Sequence, residues 1–375
     1  MTSVASGNPS RLAVAGGGTA GHVYPALSVV AAWKKMAGTE AEVLYLGSKG
    51  GIEKDLAERS GTSFMGIQSG PLRGKSPRVI ARSAGHLTWG LGQAWRALRT
   101  FQPQALLTTG GYSSIPVALA GRIHRIPLVL YLPDIEPGWA IRLLAPLAQR
   151  IAVTSAASKT YLPNDKITET GYPVREEIWG REKAEARRRL GLKPELPAVL
   201  VLGGSRGARS INRAISENME MLLQVCQVIH VCGTEDEHWL RERASCLDVT
   251  SADRYAVHPY LHAEFALALA AADLAVSRAG ASVLGEYPAA GLPSILVPYP
   301  YAGSHQMKNA YFLSQTGAAL IMRNGQMASL HIAIKELLQN PKRLARMARE
   351  AKALSRPQAA RDIAAMLIEA GGTRG

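Results

Sequence analysis

"AGGGTAGHVYPAL", residues 15–27, follows directly on the apolar run Leu12 to Val14, near the start of a chain of 375 residues. An apolar run that breaks into glycines reads as a strand turning into a helix, and Gly16, Gly18 and Gly21 satisfy the G-x-G-x-x-G spacing of a dinucleotide-binding turn. Such a turn offers free backbone N–H groups and the positive end of a helix dipole to an anion. A dinucleotide site also requires an acidic residue at the end of the second strand, about 20 residues on, to hold the ribose hydroxyls. Here that strand ends LYLGSKGG, residues 44–51, without a carboxylate. A second glycine turn closes VLVLGGSRGA, residues 199–208, and is neither G-x-G-x-x-G nor a Walker loop, since no Gly-Lys-Ser/Thr follows. Nicotinamide and flavin readings are therefore set aside, while phosphate binding remains.

Working outward, short apolar runs alternate with helical patterns, the mark of parallel sheets covered on both faces. In the first half the strand candidates are 12–15, 42–46, 105–108, 128–132 and 150–153, with helices expected over 25–36 and 114–123. A second series runs through 198–202, 228–232, 254–257, 274–277 and 294–298. The break falls between about Gly171 and Pro197, where the charged EKAEARRRLGLKPELP reads as a linker and an entry helix. The pattern predicts two doubly wound α/β domains in tandem, each opening with a strand and a glycine turn. Ligands in such sheets gather at the carboxyl ends of the strands, so the two turns are expected to face one cleft.

Composition narrows the setting. Mean hydropathy near zero fits a globular chain, and the three cysteines, Cys226, Cys232 and Cys246, show no C-x-x-C spacing, so a reducing cytoplasm is expected. The N-terminal MTSVASGNPSR has no secretory pattern, and no segment reaches the roughly 18 apolar residues of a membrane span. The histidines show no metal-ligand spacing such as H-E-x-x-H, so no metal site is expected. Net charge is +14, unevenly spread: between Glu58 and Asp134, residues 59–133, there is no carboxylate, while Arg59, Arg73, Lys75, Arg78, Arg82, Arg96, Arg99, Arg122 and Arg125 all fall inside. That block suits an anionic partner: nucleic acid, a lipid headgroup layer or a phosphorylated substrate. Residues 78–101 mix Trp89, Trp95 and several leucines with arginines, as an interfacial amphipathic helix does, or a core helix with solvated arginines. RRM and KH signatures are missing, which disfavours nucleic acid.

Six stretches carry a resemblance: GGTAGHVYPAL (17–27), TTGGYSSIPVALA (108–120), TGYPVR (170–175), LGGSRGARSIN (202–212), SRAGASVLGEYPAAGLPSILVPYP (277–300) and HQMKNA (305–310). In this order they resemble the MurG family of inverting glycosyltransferases. These enzymes move N-acetylglucosamine from UDP-GlcNAc to the muramyl sugar of undecaprenyl-pyrophosphoryl-MurNAc-pentapeptide in peptidoglycan synthesis. The resemblance implies a GT-B architecture: two doubly wound, Rossmann-like α/β domains facing a central cleft. Residues 10–172 would form an acceptor and membrane-binding domain, 173–357 a UDP-GlcNAc-binding domain, and a final helix at about 358–372 would pack back on the first. It further implies a peripheral enzyme on the cytoplasmic face of the cell membrane, with the basic 59–133 segment on the anionic surface. No cofactor would be obligatory, with magnesium stimulation left open.

Site residues follow from the same resemblance. Gly17, Gly18, Gly110, Gly111 and Tyr112 are assigned to the acceptor, and Thr19, Gly21, Arg175, Ser205, Arg206, Ala281, Glu286, Gln306 and Asn309 to the donor. Chemically, Glu286 can accept two hydrogen bonds from a ribose diol, Gln306 and Asn309 share a helical face suited to sugar hydroxyls, and Arg175 or Arg206 can meet a leaving pyrophosphate. Arg206 stands where the family usually carries glutamine. His22 falls at a helix start, where the dipole favours a neutral imidazole able to take a proton. One departure matters: where the family reads His-Glu-Gln-Asn, this chain has Tyr131, Leu132, Pro133 and Asp134, with Glu136 close by. Asp134 competes with His22 for the role of general base. It also leaves open a related GT-B enzyme with another lipid or small-molecule acceptor, and a noncatalytic binding protein on the same scaffold stands third.

Overall fold

The computed structural model describes residues 10–70, 77–204, 207–300 and 305–372. The chain divides into two compact units, Met1–Val174 with Pro357–Gly375, and Arg175–Arg356.

The first unit is built on a parallel sheet of β1 (Arg11–Gly16), β2 (Glu42–Ser48), β3 (Ser63–Ile67), β4 (Ala105–Gly110), β5 (Leu128–Leu132), β6 (Arg150–Val153) and β7 (Ile167–Glu169), in the order β3-β2-β1-β4-β5-β6-β7. The central strands β4 and β5 are buried along their whole length, as strands covered by helices on both faces must be. Strand order reverses between β1 and β4, and the crevice beyond their carboxyl ends is the ligand position of an open parallel sheet. There the register slips: Ala15 pairs with Thr108 but Gly16 with Gly110, leaving Thr109 as an extra residue. A bulge of this kind re-aims a side chain.

Three strands were not among those expected. β3 and β7 lie at the two sheet edges, where alternating or polar residues replace the apolar run. The helix expected from Pro25 begins earlier, covering Ala20–Ala37 with Pro25 inside it. Proline lacks the N–H that would bond the carbonyl of Gly21, and the buried Tyr172 hydroxyl donates to that carbonyl instead at 3.0 Å. The Ala359–Gly372 helix packs on the Ala20–Ala37 helix within this unit, burying Ile363, Ala364 and Leu367. Residues 77–101 are helical, with Ala94, Ala97 and Leu98 in the core and Trp89 66% exposed, so core and surface readings each describe one face.

The second unit carries a parallel sheet of β8 (Ala198–Leu202), β9 (Gln227–Val231), β10 (Tyr255–His258), β11 (Leu274–Ser277), β12 (Ser294–Leu296) and β13 (Ala319–Ile321), in the order β10-β9-β8-β11-β12-β13. β13, the third unexpected strand, spans three residues at an edge. The stretch read as a linker and an entry helix holds that helix, and it is packed into this unit. Its Lys183–Arg189 helix lies on the Phe265–Ala271 helix, Arg187 donates to Ala271 O at 3.0 Å, and Lys183 and Arg187 both pair with Asp273. Asp273 also accepts the Ala198 N–H at 2.7 Å, which ties the entry helix to the start of β8.

Candidate active site

In the first unit two glycine turns meet at the β1/β4 switch point. Gly16 leaves no room for a side chain, since a Cβ there would stand 2.1 Å from Thr109 Oγ1, the bulged residue. Gly18, Gly110 and Gly111 take φ values of +93°, +91° and +91°, a region that strains any other residue. A Cβ on Gly111 would lie 2.6 Å from the Gly17 carbonyl oxygen, so the two turns touch backbone to backbone.

Hydroxyl groups hold the carbonyls of this region. Ser114 Oγ donates to Gly110 O at 2.6 Å and to Ala15 O at 3.3 Å, Tyr45 to Gly16 O at 3.1 Å, Tyr172 to Gly21 O at 3.0 Å and Thr109 to His22 O at 2.9 Å. The N–H groups of Gly17, Gly18 and Thr19 enter no backbone hydrogen bond among the described residues. With carbonyls tied down and N–H groups left over at the start of an 18-residue helix, the turn is organised for an anion. Tyr112, 38% exposed, stands beside it.

His22 and Asp134 come together here. Asp134 follows β5 on a loop whose carbonyls are fixed by Thr154 Oγ1 to Pro133 O and Ser158 Oγ to Ile135 O, both at 2.8 Å. His22 Nε2 lies 3.4 Å from Asp134 Oδ2, and its Nδ1 lies 3.5 Å from Oγ1 of Thr19. Both side chains are partly open to solvent. An imidazole flanked by a carboxylate can take a proton while the carboxylate stabilises the resulting cation.

In the second unit the turn after β8 is built by the same means. A Cβ on Gly203 would stand 2.4 Å from Ala208 N, one on Gly207 would stand 2.2 Å from Cys232 O, and Gly204 and Gly207 have φ near +80°. Ser205 and Arg206 lie outside the described residues. The Arg209–Glu217 helix that follows is anchored by a buried chain of hydrogen bonds. Asn212 Nδ2 donates to Cys232 O at 2.9 Å and Asp236 Oδ2 at 2.8 Å, which leaves its Oδ1 to accept from His230 Nε2 at 3.0 Å. His230 Nδ1 then accepts from the Tyr255 hydroxyl at 2.7 Å. Burial pushes the His230 imidazole down to about 3, so the folded chain holds it neutral. The unfolded chain binds that proton first, so this site's contribution to stability is present above about pH 6.5 and is lost as the pH falls toward 3. Acid titration of the unfolding free energy is expected to lose that limb in His230→Gln.

Arg175 and Glu286 also meet. Glu286 opens the Glu286–Ala290 helix, is 5% exposed, and has Oε1 3.4 Å from Arg175. Arg175 is further held 3.5 Å from Glu177 and over the Phe265 ring. Burial pushes the Glu286 carboxyl above the usual carboxylate range, while Arg175 pulls the other way. Ala281 begins a short 3-10 helix close by in sequence and is buried. The shared helical face of Gln306 and Asn309 is real, but the two differ in setting. Gln306 Oε1 accepts the Tyr299 N–H at 2.9 Å, whereas Asn309 is fully buried and donates to Ala279 O at 3.0 Å, bracing the turn that leads to Ala281.

Sequence reading passed over Tyr45, Glu53, Thr109, Ser114 and Tyr172, which shape the first turn, and Asn212 and Asp236, which anchor the second; His230, read as a core or surface histidine, is buried. Arg278 was also missed: it bonds Ser210 Oγ at 2.9 Å and Val297 O at 3.1 Å, and lies over the Tyr299 ring. Within the first group only Thr109, a hydroxyl residue at the end of β4, carried a sequence signal. Among the described residues no group of three or more His, Cys, Asp or Glu is placed to hold a metal ion.

Two parallel sheets, each with a glycine turn at its switch point, define a class of two-domain α/β protein, and the family models agree with it. The glycosyltransferase family 28 N-terminal domain matches residues 12–153 and the family 28 C-terminal domain matches residues 198–363. A UDP-N-acetylglucosamine–N-acetylmuramyl-(pentapeptide) pyrophosphoryl-undecaprenol N-acetylglucosamine transferase of Roseiflexus sp. (strain RS-1) is 40% identical, over 96% of this chain and 94% of its own. The transferase of the same name from Moorella thermoacetica is 36% identical over 96% and 98%. The chain belongs to this MurG family of N-acetylglucosamine transferases. Among solved structures, Acinetobacter baumannii MurG superposes with a TM-score of 0.73 at 23% identity, covering 96% of this chain and all of that one, which supports the GT-B fold.

Proposed function

We propose that the chain transfers N-acetylglucosamine from UDP-GlcNAc to the muramyl sugar of undecaprenyl-pyrophosphoryl-MurNAc-pentapeptide, with inversion. The observation that carries the reading is the His22 and Asp134 pair beside a turn whose Gly17, Gly18 and Thr19 N–H groups enter no backbone hydrogen bond among the described residues. The turns at Gly17, Gly18, Gly110 and Gly111, with Tyr112, take the acceptor pyrophosphate and orient the sugar. His22 accepts the proton of the attacking hydroxyl as that oxygen bonds the anomeric carbon, the bond to UDP breaks, and UDP leaves with the electron pair. Asp134 orients the imidazole and stabilises its charged form.

On the donor side Glu286 accepts from the ribose hydroxyls, with Ala281 and Gln306 of the same unit serving the donor. Asn309 acts through the Ala279 carbonyl. Arg175 and the N–H groups after β8 stabilise the leaving pyrophosphate, with any magnesium effect secondary. The enzyme sits peripherally on the cytoplasmic face of the membrane. Among the described residues no helix is long and apolar enough to cross a bilayer, and Trp89, Arg96, Arg99, Ile123 and Arg125 are exposed within the acid-free segment.

The test is transfer of labelled N-acetylglucosamine from UDP-GlcNAc to a lipid-pyrophosphoryl-MurNAc-pentapeptide analogue. Wild type is expected to yield labelled disaccharide-lipid, and Glu286→Ala to raise the donor KM at least about tenfold, since a hydrogen bond to a charged group is removed. UDP-GlcNAc binding without any product would mean that the acceptor is a different molecule.

A further inference from the structure

Glu53 opens the helix Glu53–Arg59 that follows β2, and it is fully buried. Its Oε1 accepts the Ser48 N–H at 3.0 Å, closing the turn at the end of β2. Three glycines press on this one side chain: a Cβ on Gly17 would stand 2.1 Å from Oε1, one on Gly51 2.1 Å from Oε2, and one on Gly47 2.5 Å from Cγ. Oε2 has no hydrogen-bond partner among the described residues, and neither has Ser113 Oγ, which borders Gly17 from the same side. Burying a carboxyl group with one oxygen unsatisfied is unfavourable, so its retention against the glycine turn calls for a role that water-facing glutamates do not have.

We propose that Glu53 is a positioning residue for the lipid-linked acceptor. Packed behind Gly17 and tied to Ser48, it sets how deep the Gly17 peptide sits, and through it the direction of the Gly17, Gly18 and Thr19 N–H groups. It touches no substrate. The proposal rests on the acceptor reading given above for this turn. A residue that only braced the β2 turn would affect stability and leave acceptor affinity alone.

Steady-state transfer by the full chain separates the two, with acceptor analogue and UDP-GlcNAc varied in turn and thermal melting followed in parallel. Glu53→Ala and Glu53→Asp are expected to raise the acceptor KM about tenfold with the donor KM within about twofold, while Glu53→Gln, which keeps the length and an oxygen for Ser48, restores the acceptor KM to within about threefold. Equal rises in both KM values, a fall in melting temperature with both unchanged, or a Gln variant no better than Ala would each overturn the proposal. Should Glu53→Ala fail to fold, the contrast between Asp and Gln decides alone. A wild type that makes no product removes the acceptor reading and this role with it, whereas a productive wild type with indifferent variants removes only the role.

Discussion

His22→Ala is expected to lower kcat by about 10²- to 10⁴-fold, the range a positioned general base contributes, while leaving the KM for UDP-GlcNAc nearly unchanged. The reasoning is geometric. One imidazole nitrogen faces Asp134 at 3.4 Å and the other faces the Thr19 hydroxyl at 3.5 Å, so a proton held toward the carboxylate leaves Nδ1 as the basic atom. A separation of 3.4 Å is long for a charge-assisted bond, but such contacts tighten when substrate fills the site. Asp134→Asn keeps the shape and an acceptor oxygen for the imidazole N–H, and is expected to cost less than about tenfold in kcat. Rapid-quench single-turnover transfer with both variants is the measurement. A loss in Asp134→Asn as deep as in His22→Ala would transfer the role of base to Asp134.

Gly111→Ala should have the second large effect, on the scaffold and the site together. At φ +91° an alanine is strained by about 1–3 kcal/mol before any contact is considered. Its Cβ would also stand 2.6 Å from the Gly17 carbonyl oxygen, a backbone atom that cannot swing aside as a side chain does. The turn must therefore open, and both stability by urea unfolding and acceptor affinity are expected to fall. Gly92, in the interior of the Pro77–Phe101 helix with nothing within 4 Å of a built Cβ, supplies the contrast. Gly92→Ala is expected to gain roughly 0.5–1 kcal/mol, the ordinary helix preference of alanine. Equal and small effects at the two positions would remove the claim that the turns are locked together.

Much of this was legible because the informative residues sit at strand ends. The apolar runs of β1, β4, β5 and β8 are central and buried, so each shows as a hydrophobic block, and in β1, β4 and β8 the block runs into glycine. β3, β7 and β13 are edge strands of five, three and three residues, too short or too mixed to stand out from a loop. His22 and Asp134 could be singled out one at a time, each beside a turn, but their approach depends on the β1-β4-β5 neighbourhood, which no local pattern encodes. Glu53 was invisible for a related reason. In sequence it is an ordinary acidic residue at a helix start, and only the folded chain brings Gly17 against it. The Lys183–Arg189 stretch is the entry helix that was read there, but its charge density suggests solvent while two of its cations pair with Asp273.

Pro25 and Tyr172 carry a consequence for how this sequence can drift. The proline withholds an N–H from Gly21 O, and a hydroxyl from the far end of the first unit supplies the missing proton. A chain with any other residue at 25 would satisfy that carbonyl within its own helix and leave the tyrosine hydroxyl redundant. A chain that kept the proline and lost the hydroxyl would leave a carbonyl unpaired one residue before His22. Only the second change leaves a buried group without its partner, so in descendants of this sequence replacement of Pro25 is expected to come before loss of the Tyr172 hydroxyl.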